Sequence, residues 1–280
     1  MQVKDILVHL DNSTACAQRV EAAIALAKRQ NARVTGVALA LKSITANYIG
    51  IQVPKAISDA QKEIVENAAQ AAVAEFIRAA ADAGIGYDSE IIYTTAARAP
   101  DRMAYKARCH DITFLGQPNP DEDNTAYMNH LLEGVLFDSG RSVYVVPYIG
   151  RITMEHRNAV IAWDGGKKSA RAIHDAIPLL QGRGKVTLLM VNAKKSSSKK
   201  DDQPGADMLR HLQNHGLDVT LENMQADVKT DYAILNFLTD SGADLLVMGA
   251  YEHSRLREKA FGGVTDSILH HMTSAVLMSD

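Results

Sequence analysis

Short apolar runs alternate with longer amphipathic segments along the whole chain. The run Leu245–Met248 is apolar at every position, which is typical of a parallel strand that is covered on both faces. In contrast, Val20, Ala23, Ile24 and Ala27 recur at the spacing of one helical face. Strands that alternate with helices predict right-handed βαβ units and a mostly parallel sheet.

The pattern predicts ten strands, each separated from the next by a helix or a loop. Strands are predicted over Val3–Leu10, Arg33–Leu41, Tyr87–Thr95, Asp111–Leu115, Ser142–Pro147, Asn158–Trp163, Lys185–Asn192, Leu217–Met224, Asp244–Met248 and Ala275–Met278. Helices are predicted over Ala15–Gln30, Ala56–Ala83, Ala99–Cys109, Ala126–Phe137, Lys168–Leu180, Ala206–His215 and Asp231–Ser241, with two more on either side of a turn at Gly262-Gly263. Asn12-Ser13-Thr14 stand where side chains would cap the first helix.

The order of elements runs through the chain twice. HLDNSTACAQRVEAAIALA aligns with AWDGGKKSARAIHDAIPLL, which pairs Asp11 with Asp164, and a second alignment pairs Gly116 with Gly249. A repeat of this length predicts two copies of one unit. We therefore expect an α/β protein of two domains, residues 1–150 and 155–280, each with a five-stranded, mostly parallel, doubly wound sheet and helices on both faces.

Composition narrows the class of protein. The 280 residues suffice for two domains, with 46% hydrophobic and 22% charged residues. A net charge of -3 argues against general nucleic-acid binding, and no apolar run has the ~20 residues needed to span a bilayer. The start of the chain lacks the pattern of a signal peptide, and the two cysteines, Cys16 and Cys109, form no CxxC. We expect a cytoplasmic protein with reduced thiols.

Candidate chemistry concentrates at one predicted sheet edge in the second half. Gly249 follows a buried strand, Gly262–Thr265 opens a helix, and Asp164 ends the first strand of that half. Ligands in open α/β sheets lie beyond the carboxyl ends of the strands, where free helix N–H groups bind anions. This arrangement predicts a nucleotide site. As alternatives, Asp164 would cap the helix Lys168–Leu180, and the glycine pair would be a simple helix start.

The glycine spacing resembles the ATP-binding pattern of universal stress proteins, which is Gly, two residues, Gly, nine residues, then Gly with Ser or Thr. Gly249 and Gly262 match its first and third positions, whereas Glu252 and Gly263 replace the second Gly and the Ser or Thr. The segments DITFLGQPNPDED, LFDSGRSVYVVPY, WDGGKKSARAIHDA and LLVMGAYEHSRLREKAFGGVT are also similar to this family, in the right order. The chain thus resembles a tandem protein of the universal stress protein A family.

This resemblance implies two domains of the adenine nucleotide alpha hydrolase-like fold, packed as an intramolecular pseudo-dimer. It also implies a site for ATP or AMP in the second domain. The residues implied are Asp164, Val191, Met248, Gly249, Glu252, Gly262, Gly263, Val264 and Thr265. Mg²⁺ could join Glu252 to the phosphates of ATP. The alternative is a stress scaffold that binds no nucleotide and acts through dimer or partner surfaces.

The first half and the histidines give little indication of a ligand or metal site. GQPNPDED begins at Gly116 and holds no second glycine at the right distance, and its prolines and acids suit phosphate poorly, so we expect a degenerate, mainly structural copy. His211 and His215 share a helix face without a third ligand at a telling spacing, so we predict no metal site. No general base is identifiable, so we expect slow ATP hydrolysis at most. Apolar closing strands, Val143–Pro147 and Ala275–Met278, require pairing within the chain or in a homodimer.

Overall fold

A computed structural model describes residues 2–42, 55–150, 152–193, 205–250 and 261–280. The strands are β1 (Asp5–Leu10), β2 (Arg33–Leu41), β3 (Gly86–Thr94), β4 (Ile112–Gly116), β5 (Ser142–Val146), β6 (Asn158–Ala162), β7 (Lys185–Val191), β8 (Asp218–Met224), β9 (Leu245–Gly249) and β10 (Ala275–Ser279). The helices are α1 (Cys16–Gln30), α2 (Lys55–Ala83), α3 (Ala99–Ala107), α4 (Thr125–Asp138), α5 (Lys167–Leu180), α6 (Ala206–Asn214), α7 (Thr230–Ser241) and α8 (Gly263–His271). Predicted ends differ from these by one or two residues. The helix expected between Gly249 and Gly262 lies outside the described residues.

The ten strands form one continuous sheet in the order β3-β2-β1-β4-β5-β10-β9-β6-β7-β8. Strands within each half pair in parallel, and the two halves repeat the same internal order, which confirms the predicted α/β fold. The exception is the central pair, since β5 and β10 run antiparallel with Tyr144 opposite Leu277. The two predicted closing strands therefore pair with each other inside one chain.

The antiparallel join reverses the direction of one half relative to the other. Because the strands of a half are parallel, their carboxyl ends all lie at one edge of the sheet. The reversal at β5–β10 places the carboxyl ends of β1 and β4 at one edge and those of β6 and β9 at the opposite edge. A site beyond the carboxyl ends of the strands in one half therefore faces the opposite direction, along the strand axis, from the equivalent site in the other half.

Each face of the sheet carries its own core, and each core continues across both halves. On one face, α1, α2, α5 and α6 cover the strands, and on the other face α3, α4, α7 and α8 do so. Successive residues of β10 alternate between the two cores, with Leu277 in the first and Val276 in the second. Burial on both faces explains why the central strands are apolar at most positions.

A buried polar cluster lies where the two halves meet. Tyr144 on β5 stacks on Phe114 with ring centroids 4.7 Å apart, and its ring centroid lies 6.0 Å from that of His156. His156 is 1% exposed and adopts a left-handed conformation with φ of 47°. Arg29 of α1 donates hydrogen bonds to the carbonyls of Met154 and Leu179. Burial, with the charges of Arg29 and Arg183, lowers the pKa of His156 to about 3.

This cluster predicts a loss of stability in mild acid. The pKa of His156 is lower in the folded chain than in the unfolded chain, so the unfolded state takes up the proton first as pH falls below about 6.5. We expect His156→Asn, which tolerates the left-handed backbone, to lose less free energy of unfolding between about pH 7 and about pH 5 than the unaltered protein. In urea unfolding, the slopes of the free energy of unfolding against pH should differ between the two proteins by up to about 1.4 kcal/mol per pH unit.

A matched control separates this effect from a general one. His174 is an exposed histidine on α5, so His174→Asn should keep the pH dependence of the unaltered protein. Parallel pH profiles for the unaltered protein and His156→Asn would show that His156 does not set the acid sensitivity.

Candidate functional site

A crevice of about 340 Å³ opens at the carboxyl edge of the second half. Its walls are formed by Ala162, Trp163, Asp164, Ser169, Leu189, Val191, Thr230, Ile234, Met248, Gly249, Gly262, Gly263 and Val264. Seven of the nine residues predicted for a nucleotide site are among them. Thr265 is fully buried in the first turn of α8, and Glu252 lies outside the described residues.

Asp164 organises the loop between β6 and α5. Its Oδ1 accepts hydrogen bonds from the Gly166 amide, at 2.9 Å, and from the Ser169 hydroxyl. The residue that caps α5 is Gly166, without a side-chain hydrogen bond, so the alternative that Asp164 is the N-cap is wrong. Asp164 is itself exposed at the crevice and holds the first turn of α5 through Ser169.

Gly249 is required by packing between a strand and a helix. A Cβ atom added to Gly249 would lie 2.5 Å from the backbone nitrogen of Ser169 and 2.8 Å from the carbonyl carbon of Lys168. The missing side chain therefore lets the start of α5 approach the end of β9, which brings Asp164 beside the glycine. A Cβ atom added to Gly263 would meet no atom within 4 Å.

The first turn of α8 presents backbone amides to the crevice. Gly262 is the N-cap of this helix, in extended conformation with φ of -67° and ψ of 155°, and it contributes no side-chain cap. The leading N–H groups of a helix have no partner within the helix and carry its positive dipole end. Together with Gly263 and Val264 in the wall, this helix start suits a bound anion.

The remaining wall of the crevice is apolar. Leu189 and Val191 project from β7, Ile234 projects from α7, and Met248 ends the apolar run of β9. Such a surface suits a flat, weakly polar ring system, while the polar groups stand near Asp164 and the start of α8. The crevice thus combines an apolar wall with the start of a helix.

In the first half, an arginine fills the space beside Gly116, the glycine that is equivalent to Gly249. Arg19 is 1% exposed, and its guanidinium donates to the carbonyl of His9 at 2.8 Å and to Oδ2 of Asp11 at 2.7 Å. A Cβ atom added to Gly116 would lie 2.4 Å from Nη1 of Arg19. In the sequence repeat, Ala172 stands at the position of Arg19. At this position the second half therefore has a small apolar side chain in place of the cation.

Asp11 is held in this internal network, unlike its counterpart Asp164. Burial opposes its ionisation, but the charges of Arg19 and His9 and the hydrogen bonds from Ser13 outweigh this and hold its pKa well below the ordinary value. Ser13 donates both its amide and its hydroxyl to Oδ1 of Asp11. The predicted cap of α1 by Asn12-Ser13-Thr14 is therefore wrong, because the N-cap is Ala15 and has no side-chain hydrogen bond.

The helices that follow the two glycines begin at different places. An offset of 133 residues superimposes β4 and β5 on β9 and β10, and it also matches the ends of α4 and α8, Asp138 and His271. With this offset α4 begins five residues earlier than α8. Asn129 and His130 within α4 therefore take the positions of Gly262 and Gly263. The first half has no helix start at that point.

Comparison with known proteins also distinguishes the two halves. The model of the universal stress protein family matches residues 155–279. Residues 155–279 belong to the universal stress protein family. A search of curated protein sequences gives no significant match.

Solved structures extend the universal stress protein fold to the whole chain. A universal stress protein from Archaeoglobus fulgidus DSM 4304 covers 100% of this chain and 97% of its own, with 18% identity and a TM-score of 0.72. A putative universal stress protein from Pseudomonas aeruginosa UCBPP-PA14 covers 99% of this chain and 93% of its own, with 11% identity and a TM-score of 0.52. At these identities the likeness establishes the fold.

Several residues of the crevice were missed by sequence reasoning. Leu189 lies two positions before Val191 on β7, so the two-residue period of a strand would have placed both on one face. Ser169 and Ile234 lie on α5 and α7, and only the packing of these helices against the sheet brings them to the site.

Other candidate groups do not converge on this site. His211 and His215 pack edge to face with ring centroids 4.7 Å apart, and Cys16 and Cys109 are free thiols. Among the described residues, no group of three His, Cys, Asp or Glu side chains is placed to hold a metal ion. Within the same part of the chain, no helix is long and apolar enough to cross a membrane.

The two glycines of the crevice predict opposite responses to the same substitution. Gly249→Ala places a Cβ atom against the backbone of Ser169, so we expect it to lower the free energy of unfolding by about 1–3 kcal/mol. Gly263→Ala enters open space, so its effect should stay within about 0.5 kcal/mol. Urea unfolding of both variants measures the difference, and equal losses would contradict this account of Gly249.

Proposed function

We propose that the second-half crevice binds an adenine nucleotide, ATP or AMP, and that the protein is a cytoplasmic nucleotide-binding stress protein. The observation that carries the proposal is the meeting of an apolar wall, the Asp164 carboxylate and the start of α8 in one crevice. Its volume of about 340 Å³ falls in the range of small-molecule sites. The family of residues 155–279 supports the same proposal.

Different residues of the crevice contact different parts of the nucleotide in this proposal. The apolar side chains of Leu189 and Val191 face the base, and Asp164 accepts hydrogen bonds at its polar edge. Backbone amides of Gly263, Val264 and Thr265 serve the phosphates, whose charge the helix dipole stabilises. Mg²⁺ would neutralise part of the charge on ATP.

Nucleotide occupancy is proposed to change contacts with partners rather than to drive catalysis. Among the residues that line the crevice, Asp164 carries the carboxylate. Its Oδ1 already accepts hydrogen bonds from Gly166 and Ser169. A general base needs an oxygen that can reach an attacking water, and these local bonds occupy one oxygen. We therefore propose slow ATP hydrolysis at most.

We also propose that residues 1–150 and 155–280 are two domains of an intramolecular pseudo-dimer. The closing strands β5 and β10 are fully buried and satisfy each other within the chain. The sheet edges left for other partners, including a second copy of the chain, are β3 and β8. Gln117 adds a bond across the join, because its side-chain amide donates to the carbonyl of Leu269 at 2.8 Å.

A matched pair of blocking variants tests nucleotide binding. Val191 on β7 and Leu39 on β2 are equivalent in the repeat, and each is a half-buried wall residue of the crevice in its own half. Val191→Trp fills the second-half crevice and should abolish ATP binding in titration calorimetry. Leu39→Trp fills only the first-half cavity, so it should leave ATP affinity unchanged.

Two results would overturn the proposal. One is unchanged ATP affinity in Val191→Trp. The other is the absence of co-purified adenine nucleotide together with no heat from millimolar ATP or AMP, which would favour a scaffold that binds no nucleotide.

The pseudo-dimer proposal predicts how a half behaves alone. A fragment of residues 155–280 exposes the edge of β10, which is apolar on both faces and has lost β5. Unpaired apolar edges recruit other strands, so we expect the fragment to dimerise while the full chain does not use this edge. Light scattering after size-exclusion chromatography measures both, and a monomeric fragment at micromolar concentration would contradict the proposal.

A further inference from the structure

The first half contains a cavity of about 490 Å³ at the opposite sheet edge from the proposed nucleotide site. Leucine, valine and alanine residues, together with Met128 of α4, make up eight of its sixteen lining residues. The other eight are polar: His9, Asp11, Asn12, Ser13, Thr14, Glu122, Asn124 and Tyr127. Tyr127 and Met128 belong to the five residues by which α4 extends beyond the start of α8. The longer start of α4 thus supplies Tyr127 and Met128 to the lining of the cavity.

Tyr127 and His9, which both belong to the lining of this cavity, each carry a buried polar atom without a hydrogen-bond partner in the described part of the chain. These atoms are Oη of Tyr127 and Nδ1 of His9, a residue that is 2% exposed. Nδ1 of His9 lies 3.4 Å from Oδ2 of Asp11 but lacks the alignment of a hydrogen bond. Buried polar groups without partners are costly, so a polar molecule that pairs with them would bind favourably.

The charges around the cavity select against anionic ligands. Arg19 is the buried cation nearby, and its guanidinium is already bonded to Asp11 and to the carbonyl of His9. Burial lowers the pKa of His9 to about 4 and raises that of Tyr127, so both side chains are neutral near neutral pH. Half-buried Glu122 adds a negative charge to the lining, which repels phosphates and carboxylates.

We propose that this cavity binds an uncharged amphipathic small molecule, whose amide or hydroxyl group exchanges hydrogen bonds with Tyr127 and His9. Its apolar body lies against the aliphatic wall around Leu39 and Met128. The inference is independent of nucleotide binding, because the two crevices share no residue and lie at opposite edges of the sheet.

Probes of one shape and different charge test the proposal. Benzamide and benzyl alcohol are uncharged, whereas benzoate and benzylamine carry opposite charges at neutral pH. Each is titrated into the full-length protein, and amide chemical shifts are followed by NMR. We expect benzamide or benzyl alcohol to shift amides of β1, β2 and the first turn of α4, with much weaker effects from benzoate and benzylamine.

Variants identify the groups that bind the probe. Tyr127→Phe removes one hydroxyl and keeps the ring, so binding of the uncharged probe should weaken roughly three- to tenfold. Tyr105→Phe alters an exposed tyrosine of the same half and should leave binding unchanged. Leu39→Trp fills the cavity and should abolish binding, whereas Val191→Trp should not affect it.

Three outcomes would overturn the proposal. They are the absence of shifts with both uncharged probes, binding of benzoate or benzylamine as tight as that of the uncharged probes, and unchanged affinity in a folded Tyr127→Phe. If Tyr127→Phe fails to fold, the comparison of Leu39→Trp with Val191→Trp decides, because equal binding by these two variants contradicts the assigned cavity.

Discussion

The antiparallel pairing of β5 with β10 is the constraint on which the rest of the structure depends. Both strands are buried on both faces, so neither can remain as a free edge in water. Their pairing joins two parallel half-sheets into one and continues both cores across the chain. It also buries the cluster around Tyr144 and His156, which links the stability of the join to protonation.

The same pairing separates the two crevices and leaves each free to acquire its own chemistry. In the second half, Gly262 starts a helix at the crevice and Ala172 leaves the space beside Gly249 to the backbone of α5. In the first half, Arg19 neutralises Asp11 and fills the space beside Gly116. Differences of a few side chains and five helical residues thus give the two crevices different polar ends.

Most of the fold could be predicted from the sequence because its causes are local. Strands buried on both faces are apolar at most positions, and the repeat of Asp11 and Gly116 in Asp164 and Gly249 predicts two copies. The direction of the β5–β10 join was not predictable from the hydrophobic pattern, because apolar edges alone do not specify which partner or orientation satisfies them.

Most residues of the candidate site could be predicted from the sequence, but the roles of some of them could not. Asp164, Val191 and Met248 do converge, since strand ends at one edge must be close. The predicted cap by Asn12-Ser13-Thr14 is wrong because the helix begins only at Cys16 with Ala15 as its N-cap, and Ser13 is bonded to the Asp11 carboxylate instead. The role of Gly249 in packing against Ser169 depends on a contact between distant segments, which no local pattern encodes.

We expect a nucleotide to bind only in the half that has a helix start at its crevice. Hydrogen–deuterium exchange of the full chain with and without ATP distinguishes the two halves. ATP should protect the amides of Gly262–Thr265 and leave those of Thr125–Met128 unchanged. Protection of the first-half turn, or no protection of the α8 start at saturating ATP, would contradict it.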